Sequence, residues 1–579
     1  MRAARPRIGL SLTLTELESR EVPAVFYVVP TTTPLDSTHK YLLTDAVAAA
    51  SIGDTIQIEP GTSSEAAVTI TKANLTIQGD PNVPGSILTN YDLNITTTGL
   101  TVTNLRLGEV VTSATAGNVT LKRNQIVHIV ETQGTGTVGQ NTISQNIITG
   151  SVKLNGNNTA ATTCDVVEYN TFAGAESPQL VVTDSNNTTV RNNTFNGGGS
   201  GQTAISIQGS SGSVAILNNT ISLTGGGNTT GISLDNTISA VATHTLSARI
   251  ANNSINTALA GTGISIFNYL ASPMTAQIEG NDFVYNSVGV RMAVSQQLTS
   301  PGNIDLGGGA NIFGTSKGGN NFRGFTGAGN HDAINMTVGT SGNELAQFNI
   351  FDVGATPGQV VADNNHNVSG GIRGTVDVSS PLSNNRAFVQ SLYNRLLGRS
   401  GTLGELDGWV GQIAGQGATA VARGILYSAE SLHRIVGDYY ITYLGRVSTQ
   451  AERTGWVSQI SNGTTLEVVQ AGFLSAPEYL AHINTDFVQS LYLNTLNRTA
   501  SAAELAGWNN QLGSLGLNGV ALAFTRSAEH RSLVVAGYYK QLLHRAATAS
   551  ELSGWANGAT GLLAIENTVL GSAEFFAHG

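Results

Sequence analysis

Between residues 55 and 380 apolar and polar side chains alternate in short runs, Val68 and Ile70, Leu75 and Ile77, Leu100 and Val102, Val119 and Leu121, broken by Gly and Asn. A period of two marks strands with one buried face. A longer period lies over it. Asn124, Asn146, Asn170, Asn193, Asn219, Asn253 and Asn281 each stand just before an Ile or Phe (Ile126, Ile147, Phe172, Phe195, Ile221, Ile255, Phe283), with spacings of 22, 24, 23, 26, 34 and 28 residues. A repeat of that length, holding several short strands and tolerating insertions, is what one coil of a parallel β-helix requires. Coils stacked at about 4.8 Å set such asparagines in a ladder, each amide donating to one neighbour and accepting from another. Ahead of the first coil, Thr44 to Ala50 offers an N-cap hydroxyl and good helix formers, so a short helix is expected to cover the open edge.

After residue 385 the pattern becomes helical and recurs four times. Tyr393, Tyr440, Tyr492 and Tyr539 each stand six residues before Arg399, Arg446, Arg498 and Arg545, and each Arg six before Glu405, Glu452, Glu504 and Glu551. Each Glu is four before Trp409, Trp456, Trp508 or Trp555, a Gly precedes every Trp, and a Ser-Ala pair follows at Ser428, Ser475, Ser527 and Ser572. Units one and three, and units two and four, are offset by 99 residues at the tryptophans, which points to a duplicated pair. Each unit reads as helix, turn, helix, loop, helix. Thr402, Thr449, Ser501 and Thr548 stand three residues before the Glu, the spacing of a capping box, so the acids are read as helix caps that Gln could replace. The Trp reads as a core anchor, its preceding Gly as room for a neighbouring helix, and the Arg as a partner for helix C-terminal carbonyls or the next unit's acid.

The two patterns divide the chain into a leader at 1–25, a parallel β-helix at 26–380 and a helical repeat domain at 386–579, with units 386–433, 434–483, 484–532 and 533–579. The break is placed at Pro381 to Asn385, whose Pro, Ser and Asn favour a turn. Only 11% of residues are charged, yet 40% are hydrophobic and the net charge is −10, so the chain is not of the disordered class. No Lys/Arg block is present, which excludes nucleic acid as an expected partner. Cys164 is the one cysteine, read as a small buried hydrophobe, and no apolar run is long enough to span a membrane. Arg2, Arg5 and Arg7 ahead of Ile8 to Leu14 read as a charged region feeding a short apolar one, an export signal.

Chemistry is harder to place. Lys122 and Arg123 form the best basic pair for proton abstraction, with Asp165 and Glu168 the nearest acids, but alternation reads the pair as solvated. A charged cluster on one ladder would mark an enzyme, and the sequence offers none. The glycine runs Gly197 to Gly199 and Gly307 to Gly309 read as loops. No catalytic residue, cofactor or metal site is therefore assigned.

Three resemblances extend this reading. The stretch GDTIQIEPGT followed by NLTIQG, from Gly53 to Gly79, resembles the opening of the right-handed parallel β-helix superfamily that includes pectate lyases, and implies a mainly β, right-handed parallel β-helix ahead of the all-α repeats. FVQSLYNRLLGR, ELDGW and GFLSAPEYL resemble the bacterial domain of unknown function 4214, which implies export and cell-surface or interaction roles. LTELESREVPA, Leu14 to Ala24, resembles the leader of planctomycete exported proteins. The expectation is an extracellular or cell-surface adhesion protein, a β-helix stalk with a helical attachment module. Its expected partners are an envelope or extracellular polysaccharide and proteins at the repeats. The alternative is a polysaccharide lyase or glycoside hydrolase acting on an acidic polysaccharide.

Overall fold

The structure, a computed structural model, describes residues 23–578 apart from 32, 34, 63–64, 66, 80–90, 133–139, 157–164, 186, 210–211, 226, 237–245, 258–260, 269–273, 285, 295–302, 308–309, 323–331, 338–341, 347–348, 351–373, 378–381, 481–482, 484–485, 544 and 559. Most of the leader segment, Cys164, Gly308 and Gly309 lie outside the described residues.

The chain forms a parallel β-helix followed by an all-α domain. In each coil a first strand, such as Thr120–Lys122, joins a parallel sheet of fifteen strands that runs from His39–Lys40 to Gly374–Asp377. A two-residue turn leads to a second face, where Ile147–Ile148, Thr171–Phe172, Thr194–Gly197, Thr220–Leu223, Ser254–Asn256 and Asp282–Val284 pair in parallel. A third face carries Val152–Asn155, Leu180–Thr183, Thr203–Gln208, Thr230–Asp235, Thr262–Asn268 and Val288–Val294. Strict parallel register stacks like on like in the core. Phe172 lies face to face on Phe195 at 4.3 Å, and Phe283 on Phe322 at 4.9 Å.

The asparagine ladder stands at the turn between the first two faces. Each Nδ2 donates to the next asparagine's Oδ1, as Asn146 to Asn170 and Asn170 to Asn193, both at 3.0 Å. The same oxygen accepts the backbone N–H of the preceding member, as Asn193 does from Asn170 at 2.9 Å. The ladder runs on through Asn320 and Asn349, beyond the last member the spacing had shown. At Asn146 the core residue is Ile148, while Ile147 is 46% exposed.

The opening helix is Leu43–Ala49, with Leu43, Ala46 and Val47 buried in the β-helix core. Thr44 does not cap it. The N-cap position is Leu42, and the Glu65 carboxylate accepts from the N–H groups of Leu43 and Thr44 instead. A carboxylate at a helix N-terminus also meets the positive end of its dipole, so the distant acid replaces the local hydroxyl.

The helical domain is four copies of one construction. Capping boxes close at Thr402 with Glu405, Thr449 with Glu452, Ser501 with Glu504 and Thr548 with Glu551. Each Arg lies over its own unit's Tyr ring, at 5.0, 4.9, 4.6 and 4.9 Å in chain order. Trp409 and Trp555 donate to the hydroxyls of Tyr393 and Tyr539 at 3.1 and 3.2 Å.

Each arginine is taken by two acids, the capping Glu and a second one after the Ser-Ala pair. Arg399 bonds Glu405 and Glu430, Arg446 bonds Glu452 and Glu478, Arg498 bonds Glu504 and Glu529, and Arg545 bonds Glu551 and Glu574. Each pair of acids clamps one guanidinium and ties the Trp helix to the helix after the Ser-Ala pair, which in units one and three is Ala429–Leu444 and Ala528–Leu542 and goes on to carry the next unit's Tyr. The same arginines hold all four capping carboxylates down at a pKa of about 2. A Gln at Glu405 therefore keeps the cap but loses the ion pair. We expect Thr402→Ala to cost about 0.5–2 kcal/mol in denaturant unfolding, with Thr402→Ser near the parent. An unchanged midpoint in the Ala variant would remove the capping account.

The glycine before each Trp does not receive a helix, for nothing lies within 4 Å of a Cβ at Gly408, Gly455, Gly507 or Gly554. The close approach comes at Gly424 and Gly472, where an added Cβ would meet the rings of Trp409 and Trp456 at 2.7 and 2.8 Å. The array also closes on itself, with Phe388 of unit one against Phe576 of unit four at 4.8 Å.

Candidate functional site

The helical domain does not continue the β-helix axis; it lies back along the turns that carry the asparagine ladder. Asn394 donates to Gly319 O at 3.0 Å, Asn252 to Gly398 O at 2.7 Å, and Arg395 pairs with Asp282. Farther back, Lys122 donates to Gly445 O and Gln145 to Ile441 O. Gly398 and Gly445 hold the same place in units one and two, both at left-handed φ, 64° and 63°. One repeat position thus presents its carbonyl twice to the β-helix.

The turn residue before the ladder asparagines from Asn124 to Asn320 is also left-handed. Asn192, Asn218, Asn252, Gly280 and Gly319 take this conformation, and Asn and Gly tolerate it. Three consecutive coils depart from that choice with Arg123, Gln145 and Tyr169, at φ 56°, 58° and 56°. Long side chains there cost roughly 1–2 kcal/mol each, so a compensating use is to be sought where they point.

All three line a cleft of about 690 Å³ between the β-helix and the helical domain. Asn104, Asn146, Asn170, Thr171, Asn192 and Thr194 form its floor with them. Its roof is the end of the helix Ala429–Leu444 and one face of the helix Phe487–Leu496, with Tyr443, Tyr479, Ser490, Asn494 and Asn497. Gln145 fixes the arrangement, accepting from Arg123 Nε at 3.2 Å while donating to the roof. Asn494 donates to the Tyr479 hydroxyl at 2.8 Å, and that hydroxyl donates to Ser490 Oγ at 3.0 Å.

Among the described lining residues Arg123 is the one charged group, while Asp438 and Glu168 act on Tyr169 from behind the lining. Burial pushes the Arg123 pKa down, partly offset by the nearby Tyr479, and no carboxylate among the described residues pairs with it. An arginine remains cationic under such a shift. Burial raises the Tyr169 hydroxyl to about 12, so it stays a neutral hydrogen-bonding group at physiological pH. Among the described residues the lining contains no Asp or Glu, in a chain that has 38 of them. The arrangement offers a charge, amides and phenols to an anionic, hydroxyl-rich ligand.

The structure places the sequence candidates differently from a solvated pair. Lys122 and Arg123 are both partly covered by the helical domain, Lys122 as a cap on the helix ending at Leu444. Lys122, Ser144, Glu168 and Arg191 occupy one column of the first sheet, a charged ladder that the sequence did not disclose. Glu168 is taken by Arg191 at 2.7 Å, and Asp165 is buried beneath the turn, accepting from Asn141 N at 3.3 Å. Acid and base are thus brought to one face, but each is held in a structural contact. The left-handed turn residues went unnoticed in the sequence, although the change from Asn or Gly to Arg, Gln and Tyr before the ladder asparagine was there to find. Among the described residues no cluster of His, Cys, Asp or Glu could hold a metal ion, and no helix is long and apolar enough to cross a membrane.

The sequence profile of the family described as domain of unknown function (DUF4214) matches residues 379–435 and 481–534, in the regions of units one and three. No curated protein matches the chain. Among solved structures, a mannuronic acid specific polysaccharide family 6 lyase from human gut microbiota is 12% identical with a TM-score of 0.33, covering 68% of this chain and 100% of its own. A point mutant of AlyGC, a family 6 alginate lyase, is 13% identical with a TM-score of 0.32, covering 61% and 53%. The alginate lyase AlyF-OU02, in complex with G6, is 11% identical with a TM-score of 0.27, covering 59% and 84%.

Proposed function

We propose that the chain is an exported surface or extracellular protein that binds an acidic polysaccharide, without cleaving it, in the cleft between the β-helix and the helical domain. The observation that carries this reading is the row Arg123, Gln145 and Tyr169, held in a costly backbone conformation around a cleft whose lining has no carboxylate. A uronate ring supplies what that lining lacks, a carboxylate for Arg123 and hydroxyls for the amides. Cleavage would need an acid or base free to move a proton at neutral pH, and the groups lining the cleft are an arginine, phenols, hydroxyls and amides. The charged column favours the lyase reading, but Lys122 and Glu168 are engaged elsewhere. Export rests on the charged, apolar leader pattern and the resemblance of the repeats.

Calorimetric titration with oligouronates tests this. Arg123→Ala is expected to weaken binding about 10- to 100-fold, the span of a charge-assisted contact worth roughly 1.5–3 kcal/mol. Neutral oligosaccharides of equal length should bind weakly to both proteins. Unchanged uronate affinity in the Arg123→Ala protein would sink the site. New unsaturated or reducing ends would show that the chain cleaves what it binds.

A further inference from the structure

The cleft is not the end of the polar surface. Two more cavities adjoin it along the second face of the β-helix. One, of about 590 Å³, is lined by Ala173, Asn196, Gly197, Ser222, Thr224 and Lys540. The other, of about 450 Å³, is lined by Thr220, Ser222, Ser254, Asn256, Lys540 and Arg545 among others. The strand Thr194–Gly197 lines the cleft with Thr194 and the next cavity with Asn196 and Gly197. Ser222 and Lys540 are common to the second and third cavities.

The floor follows from parallel register. Thr171, Thr194, Thr220 and Ser254 form one outward column, and Asn196, Ser222 and Asn256 the next. Asp282 continues the first column and is neutralised by Arg395. Among the described residues neither of the two cavities is lined by an Asp or Glu. Arg545 is already committed to Glu551 and Glu574, whereas exposed Lys540 has no ion pair among the described residues.

We infer that Lys540 is the second anion subsite of a single track. On this arrangement one acidic polysaccharide chain lies along the β-helix axis, bound at Arg123 and again at Lys540. The inference rests on the polysaccharide reading of the cleft and extends it to the length and direction of the ligand. Lys540 stands over the strands of Asn196 and Ser222, three to four coils from Arg123, or about 14–19 Å at roughly 4.8 Å per coil. An extended pyranoside chain advances by nearly the same distance per ring, so successive rings meet successive rungs of hydroxyls and amides. A polymer in this register places one carboxylate at Arg123 and another, about four rings on, at Lys540.

Oligouronates of two to ten rings, titrated against the full chain, its Lys540→Ala variant and its Arg123→Ala variant, test the assignment. For the parent, affinity should rise at least tenfold between three and six rings and then level. Lys540→Ala should abolish that rise while leaving the shortest ligands unaffected, and Lys540→Arg should retain it. A flat length dependence, or a rise that survives in Lys540→Ala, overturns the track and leaves the cleft standing. Short ligands insensitive to Arg123→Ala overturn the cleft itself. Lys540 is exposed, and circular dichroism of each variant is the check that folding is intact.

Discussion

Replacing Asn193 by Ala is expected to lower the stability of the β-helix by about 3–5 kcal/mol, although no apolar side chain is touched. Asn193 is buried in the middle of the ladder. Its Oδ1 accepts from Asn170 N at 2.9 Å and Asn170 Nδ2 at 3.0 Å, while its Nδ2 donates to Val167 O at 2.8 Å, Arg191 O at 3.0 Å and Asn219 Oδ1 at 3.0 Å. Truncation leaves the Asn170 N–H without an acceptor inside the turn, at roughly 1–3 kcal/mol, and weakens several other contacts at roughly 0.5–1.5 kcal/mol each. Asn193→Asp should fare little better, because it keeps the acceptor but removes both N–H donors and adds a buried charge. Thr194→Ala, one residue on and facing the groove, should stay within about 0.5 kcal/mol of the parent. Denaturant unfolding of the three variants is the measurement. A loss below about 1 kcal/mol for Asn193→Ala would mean that the core stacks, and not the amides, hold the coils in register.

The ladder shows what a sequence displays and what it conceals. Asn124 to Asn281 were legible because parallel register forces the same side chain into the same place on every coil. Asn320 and Asn349 were not, since Asn320 follows Asn281 by 39 residues and the insertion hides the period. In the repeats the capping boxes were legible because they are local, a hydroxyl and an acid three residues apart. The second acid of each arginine clamp is 29 to 32 residues away and was missed, although a Glu follows every Ser-Ala pair within three residues. The glycine before each Trp misled for a geometric reason, because adjacent residues on a helix do not share a face. The cleft was out of reach, since its two walls meet where Lys122 bonds Gly445, a separation of 323 residues that no periodicity encodes.

The other large expected effect is a pH-dependent stabilisation of the helical domain by Glu566→Gln. Glu467 is buried in this domain and Glu566 half-buried, and their surroundings differ. Glu467 is paired with Arg531 at 3.1 Å and accepts from Leu562 N at 3.0 Å. Glu566 has only the Tyr538 hydroxyl, with Tyr439 and Tyr427 near it and no ion pair among the described residues. Burial therefore raises its pKa from about 4.5 to about 7, against the opposing effect of the Tyr538 hydrogen bond. At pH 4 the group is protonated whether the chain is folded or not, and it has no effect on stability. As pH rises through about 4.5 the unfolded chain releases this proton while the folded one retains it, so stability falls until the folded group ionises near pH 7. Above that the cost is constant, at about 2–3 kcal/mol from a shift of this size. Gln keeps an acceptor for Tyr538 and cannot ionise, so Glu566→Gln should match the parent at pH 4 and exceed it by that amount at pH 8. Unfolding curves at the two pH values decide the matter. An equal gain at both would assign the effect to packing, and no gain at pH 8 would place the Glu566 carboxylate in water.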